Sequence, residues 1–370
     1  MKLYYIVKNL DKIPSCAYNI QSLKKLGYEV ICVLGASTDG INKNFREDGI
    51  ETHIMSADSE KSGKKSSVSY IMRFRKFVKK TIGNAVCRDD VIFLGTADTA
   101  MAVWGMFPDI KKVICIKELY DNDKLYRRFL VKLCRKADAV VACEINRARM
   151  MQFEWGLKKR PYVIPNKPYF HPRQKNCLPT TEQTSAIVEQ IKDKPCIVYQ
   201  ANHIRFAEEL KALAVALKSL PVNYELVLIG TVDNPGDIEA LKKIYPNITT
   251  TGYIFSPLHI EITSYAKIGI TVYSENSLNN LFCAPNKIYE YAGYSVPTLA
   301  NDVPGLVETV GLTGAGECVD WSDPSKIAEA IMRIEQNYEE YSENARLLFE
   351  STDILSKLDS IVKAVTGKED

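Results

Sequence analysis

Short apolar runs recur along the whole chain, and most are followed by a stretch with apolar residues at helical spacing. In the first half the runs are Lys2–Val7, Glu29–Leu34, Val91–Leu94, Val113–Ile116, Ala139–Ala142 and Tyr162–Ile164. Tyr18–Leu26, Asp123–Ala137 and Arg147–Trp155 read as helices between or beside them. Strands without polar alternation are buried on both faces, and strands alternating with helices form right-handed crossovers in a parallel sheet. The pattern restarts with strands at Cys196–Tyr199, Glu225–Ile229, Ile248–Tyr253, Ile268–Tyr273 and Val296–Ala300. Helices are expected between them at Ala207–Leu220, Pro235–Ile244, Pro257–Ala266 and Pro285–Ala292, and after the last strand at Ser325–Asn337. The expected fold is therefore α/β, with two doubly wound parallel-sheet domains, residues 1–170 and 195–343. Residues 171–194 are Pro/Thr/Gln-rich at first and hold no long apolar strand, so they read as the linker. A last helix at about 344–370, with Leu347, Leu348, Ile354, Leu358 and Ile361 on its apolar side, is expected to pack back on the first domain.

A length of 370 residues suits two or three domains. With 46% hydrophobic and 25% charged residues, the chain is neither disordered, collagenous nor a disulfide scaffold. The first residues do not read as a signal peptide, because Asp11, Lys12 and Pro14 interrupt any apolar core. No stretch approaches the ~18 uninterrupted apolar residues of a spanning helix. Ten cysteines with no CxxC pair are expected to be reduced thiols, in a cytoplasmic setting. Charge is unevenly spread. Residues 1–170 carry 31 basic and 18 acidic side chains, and residues 171–370 carry 17 and 27. A basic half of net +13 and an acidic half of net −10 suggest domains with different partners, the basic one facing something anionic. His53, His171 and His259 show no ligand spacing, so no metal site is expected.

Open α/β units bind ligands at the carboxyl ends of their strands. No GxGxxG follows the first strand and no GxxxxGK[ST] occurs, which argues against dinucleotide and P-loop readings. The most informative stretch is Phe282–Glu308, FCAPNKIYEYAGYSVPTLANDVPGLVE. Pro285 suits the first turn of a helix, and the free N–H groups there, with the helix dipole, make an anion site. Lys287 adds a positive charge, and Glu290, one turn on, can accept hydrogen bonds from a ribose diol. On the residues alone, an ordinary capped helix with a solvent-facing Glu explains the stretch equally well.

That stretch resembles the donor-binding segment of family 4 glycosyltransferases and relatives of the GT-B fold, in which two Rossmann-like domains face a cleft and the C-terminal one holds a nucleotide-sugar. Further blocks resemble the family in the same order: KRPYVIPNKP at Lys159–Pro168, the RFAEELKAL stretch within Tyr199–Leu213, the strand Glu225–Gly230 and the block Thr251–Ala266. The resemblance implies that Glu290 matches the second Glu of the E-x7-E motif, which binds the ribose hydroxyls. It implies that Arg205 takes the place of the basic residue that neutralises the donor diphosphate, where the leaving group builds charge. The backbone of Leu281–Ala284, with Asn286 and Lys287, would hold the phosphates. His203, in the loop after the second domain's first strand, is a further donor contact.

Two departures stand out. Phe282 occupies the position of the first Glu of the motif, which leaves Asn279 and Asn280 as candidates for its sugar contact. Pro14, Ser15 and Cys16 stand where the family has a Gly-Gly loop. On the acceptor side Asp98 and Glu118 follow strands Val91–Leu94 and Val113–Ile116, facing the cleft, and Lys117 stands where the family often has His. The catalytic groups expected are thus Arg205, Lys287, Glu118 and Asp98, and the donor-binding residues Glu290, Asn286, Ala284, Phe282, Asn280 and His203. In retaining members of the family the departing phosphate can take the acceptor proton, so no dedicated base is needed.

Lys61–Lys80 holds eight basic residues and no acidic one, with Val68, Ile71, Phe74 or Arg75, and Val78 at helical spacing. It reads either as a basic amphipathic helix against anionic lipid, where a lipid-linked acceptor would wait, or as a packed helix with a solvated face. The expected function is transfer of a sugar from a UDP- or GDP-sugar to a hydroxyl of a surface glycan, with retention, by a cytoplasmic protein that sits peripherally at the inner membrane face. The nucleotide-sugar is a substrate, no cofactor is expected, and no nucleic-acid module is recognisable. Rival readings are a catalytically inactive partner subunit of the same fold and a sugar-nucleotide epimerase.

Overall fold

A computed structural model describes residues 1–10, 13–55, 68–205 and 207–368. The chain divides into two compact units. The first is Met1–Tyr169 with Ser277–Asn279 and the C-terminal segment from Asp353, and the second is Phe170–Asn276 with Asn280–Thr352.

The first unit holds a seven-stranded sheet of β1 (Lys2–Val7), β2 (Glu29–Leu34), β3 (Glu51–Ile54), β4 (Val91–Leu94), β5 (Lys111–Ile116), β6 (Ala139–Ala142) and β7 (Tyr162–Val163). Their order is β3-β2-β1-β4-β5-β6-β7, and every pairing is parallel. The order reverses between β1 and β4, which sets the ligand crevice of this sheet at their carboxyl ends. One face of β1 (Leu3, Tyr5, Val7) packs with Ile20 and Leu23 of helix Pro14–Lys25 and with Leu358, Ile361, Val362 and Val365 of helix Ile354–Thr366.

The second unit holds a six-stranded sheet of β8 (Cys196–Ile204), β9 (Glu225–Val232), β10 (Ile248–Thr250), β11 (Ala266–Thr271), β12 (Thr298–Asn301) and β13 (Gly316–Val319). Its order is β10-β9-β8-β11-β12-β13, again with parallel pairings, and it reverses between β8 and β11.

Several boundaries differ from the sequence reading. The segment 171–194 is no bare linker: it carries helix Glu182–Ile191, started by a Thr181/Thr184 capping box, and Ile187 and Ile191 join the second unit's core. The helix expected over 344–370 is two helices, Tyr338–Ser351 and Ile354–Thr366, and only the latter belongs to the first unit. Edge strands β3 (ETHI) and β13 (GECV) escaped notice because a strand with one neighbour needs no continuous apolar run.

In the basic segment, Lys61–Ser67 lie outside the described residues. Its remainder is helix Val68–Ile82, which buries Tyr70, Phe74, Val78 and Ile82 in its own unit. Of the two alternatives given above, these buried side chains fit a packed helix with a solvated face. Val68 is exposed, and Arg75 donates to the carbonyls of Ala102 (2.8 Å) and Trp104 (2.9 Å). Among the described residues no helix is long and apolar enough to cross a membrane.

Candidate active site

The second unit's site grows from the carboxyl ends of β8 and β11 and from helix Asn286–Gly293. Pro285 is the N-cap of that helix, with extended backbone (φ −74°, ψ 143°), rather than its first helical residue. No side chain caps this end. Helical N–H groups without an intrahelical acceptor therefore begin at Asn286 and suit an anionic ligand.

Lys287 is half-buried, and its ammonium donates to the carbonyl of Gln200 at 2.6 Å. It lies 5.6 Å from the ring centre of Tyr199 and 5.8 Å from that of Tyr273. Burial pulls its pKa from 10.5 down to about 8, and neighbouring Glu290 only partly opposes that. Around neutral pH it is a cation partly shielded from water.

Glu290 is buried, so it is not the solvent-facing residue that the sequence allowed. Its Oε2 pairs with His259 Nε2 at 3.2 Å, both side chains being largely shielded from water. Burial alone would raise the Glu290 pKa, but His259, then Lys287 and His171, outweigh it and hold the carboxyl below its ordinary value. Burial likewise disfavours charged His259, yet Glu290 lifts its pKa above the usual 6.5. The two groups form a buried contact in which each favours the other's charged form.

His259 is itself fixed. It opens helix His259–Thr263, its carbonyl accepts from Thr263 Oγ1 (2.9 Å), and the same hydroxyl accepts from Gln200 Nε2 (2.8 Å). Gln200 thus ties β8 to Lys287 through its carbonyl and to the His259 helix through its amide.

The other end of helix Asn286–Gly293 is fully accounted for. Its last four carbonyls have no intrahelical partner by construction. His171 Nε2 meets the carbonyl of Glu290 at 2.9 Å, and Arg173 Nε donates to that of Gly293 at 3.0 Å. The backbone of Tyr294 and Val296 serves Tyr291, and that of Ser295 serves Ala292. His171 Nδ1 accepts from the Arg173 amide (3.1 Å), so the ring proton sits on Nε2 and is donated to Glu290. Gly293 makes room for this ring, because a Cβ there would lie 2.5 Å from the imidazole. Gly269 of β11 does the same for Tyr291, whose ring would clash with a Cβ there.

Arg205 and His203 come together on a residue that the sequence did not single out. His203 Nδ1 lies 2.9 Å from Asp233 Oδ1, and Arg205 Nε donates to Asp233 Oδ2 at 3.4 Å. The trio is exposed, and His203 and Arg205 hold the Asp233 carboxyl below its ordinary value. Asp233 follows β9, far off in sequence, so no local motif could flag it.

The remaining donor-loop residues are distributed differently from the expectation. Asn280 Nδ2 donates to Ser274 Oγ and Asn276 Oδ1, both at 2.9 Å. Phe282, Ala284 and Asn286 are half-buried, and the backbone at Phe282–Cys283 lies within 3 Å of where Gly305 would place a Cβ. Asn279 is committed to the first unit: its Oδ1 accepts from the Leu119 amide (3.1 Å) and its carbonyl from Arg147 Nη2 (2.7 Å). Its amide oxygen already has a donor, which argues against it as the stand-in for the missing Glu.

In the first unit Asp98 lies in the first turn of helix Ala97–Ala102, where Thr96 donates to its Oδ1 and Lys8 Nζ stands 2.9 Å from its Oδ2. Lys8, at the carboxyl end of β1, is 6% exposed, and the sequence reading overlooked it because one Lys after a strand carries no pattern. Glu118 is exposed and is not brought together with Asp98 by any hydrogen bond among the described residues. Lys117 donates to Asn166 Oδ1 at 3.1 Å. Among the described residues no three His, Cys, Asp or Glu side chains are grouped as a metal site requires.

Residues 195–337 match the family model described as Glycosyl transferases group 1. No curated protein sequence matches the chain. Among solved structures, a glycosyltransferase from Rickettsia africae ESF-5 is similar at TM-score 0.71 and 16% identity, over 100% of this chain and 99% of that one. Anabaena Alr3699/HepE in complex with UDP-glucose is similar at TM-score 0.70 and 13% identity, over 99% of this chain and 100% of that one. A sucrose-phosphate synthase from Thermosynechococcus elongatus follows at 0.62 and 16%, over 100% and 97%. Likenesses of such low identity establish the fold. The family match covers residues 195–337 only, and the likenesses give the chain as a whole the GT-B fold. The matched segment lies in the second unit and includes helix Asn286–Gly293 with Lys287 and Glu290.

Proposed function

We propose that the chain takes a UDP- or GDP-sugar as donor and transfers the sugar, with retention at the anomeric carbon, to a hydroxyl of a surface-glycan acceptor. The observation that carries this reading is the pairing, on one helix whose N-terminus no side chain caps, of a half-buried lysine with a buried carboxylate one turn later. Lys287 and the helix N–H groups meet the diphosphate, Glu290 meets the ribose hydroxyls, and Arg205 and His203 approach the phosphates from the β8 loop. The bond from the anomeric carbon to the diphosphate oxygen breaks, the acceptor oxygen takes its place, and the acceptor proton passes to the departing diphosphate. Positive charge held in place before the reaction stabilises the oxygen on which charge develops. The HepE structure, which holds UDP-glucose in a similar fold, supports the donor class.

The test is a turnover assay with labelled UDP- and GDP-sugars and a glycan acceptor pool. Acceptor-dependent release of nucleoside diphosphate, reduced ten-fold or more by Glu290→Ala, is the expected result. Donor binding without turnover under all acceptors would overturn transfer and favour an inactive partner subunit, the reading that Phe282 at the first Glu position suggests.

A further inference from the structure

We infer that His259 is a positioning residue for nucleotide recognition: it holds one oxygen of Glu290 so that the other is presented to the two ribose hydroxyls. The inference rests on the donor reading given above. Only Oε2 of Glu290 has a hydrogen-bond partner among the described residues, and that partner is His259 Nε2 at 3.2 Å. A carboxylate held by one oxygen keeps the lone pairs of the other for a ligand. A diol needs a carboxylate in a fixed plane, and the structure supplies that from two directions. His259 fixes the side chain, and His171 fixes the backbone of the same residue through its carbonyl at 2.9 Å. His259 cannot drift, because its own carbonyl is tied through Thr263 to Gln200 on β8. The three elements that meet at Glu290 are thus locked to one another, as a recognition site requires of the shell that supports it.

The experiment measures a difference between ligands, which general loss of stability does not move. UDP and GDP, each beside its 2′,3′-dideoxy counterpart, are titrated calorimetrically into the wild-type chain and into Glu290→Ala, His259→Asn and His259→Gln. The wild type should bind one of the two full nucleotides at least ten-fold tighter than its dideoxy form, and Glu290→Ala should bind both alike. His259→Asn places its amide where Nδ1 stands and cannot reach Oε2, so it should lose most of that preference while binding the dideoxy form normally. His259→Gln can reach Oε2 and should retain most of it. A wild-type preference that survives His259→Asn, or equal weakening of both ligands in that variant, would overturn the role of His259. If Glu290→Ala keeps the preference, or the wild type shows none or does not bind, the donor reading itself fails.

Discussion

At the scale of single residues, the site depends on charges taken partly out of water. Lys287 is the clearest case, because its ammonium is stabilised by one carbonyl, two aromatic faces and a nearby carboxylate instead of bulk solvent. Its pKa of about 8 places the loss of its charge just above neutrality. Diphosphate affinity should therefore be highest below pH 8 and fall as the pH rises past it, and calorimetric titration from pH 6.5 to 9.5 reads this directly. A charged hydrogen bond is worth about 1.5–3 kcal/mol, so Lys287→Met should weaken binding by roughly 10- to 100-fold and flatten the profile. An unchanged profile in that variant would show that another group titrates. The same scale shows where sequence reasoning stops. Lys287 and Glu290 stand out in the sequence because they lie on one short stretch between Pro285 and Gly293. His259, His171 and Asp233 do not, because each reaches its partner across at least 28 residues and a lone His or Asp has no local pattern around it.

At the scale of elements, helix Asn286–Gly293 is asymmetric. One end carries no side-chain cap, while each of the last four carbonyls at the other has a donor, two of them from the segment that precedes helix Glu182–Ile191. That segment was read as a linker because its composition is polar. Its function is to supply His171 and Arg173 as caps, which need no hydrophobic periodicity. Gly293 tests the arrangement. In Gly293→Ala the new Cβ would lie 2.5 Å from the His171 ring, inside any tolerable contact, so ring or helix must move. Overpacking of this kind costs about 1–3 kcal/mol, and urea unfolding should show that loss together with weakened nucleotide binding. Full stability in this variant would mean that the ring has room to withdraw.

At the scale of the whole molecule, the two parallel sheets were legible because their central strands are continuous apolar runs that leave few alternatives. What escaped were edge strands β3 and β13, the break between helices Tyr338–Ser351 and Ile354–Thr366, and the assignment of Ser277–Asn279 to the first unit. Each of these is decided by tertiary contacts rather than by local pattern. The basic amphipathic stretch shows where pattern leaves two alternatives open. Its periodicity is helical, but periodicity does not say what covers the apolar side, and here it is the unit's own core.

The central claim is that the second unit binds a nucleoside diphosphate through Glu290 and Lys287. The most direct measurement is a thermal-shift comparison of the wild type and Glu290→Ala with UDP, GDP, ADP and CMP. A ligand that binds only the folded chain raises its melting temperature by mass action, by about 2.7 kcal/mol of stabilisation at one hundred times the Kd. The account predicts a clear rise with UDP or GDP in the wild type and little or none in Glu290→Ala. No rise with any nucleotide, or an equal rise in both proteins, would contradict it.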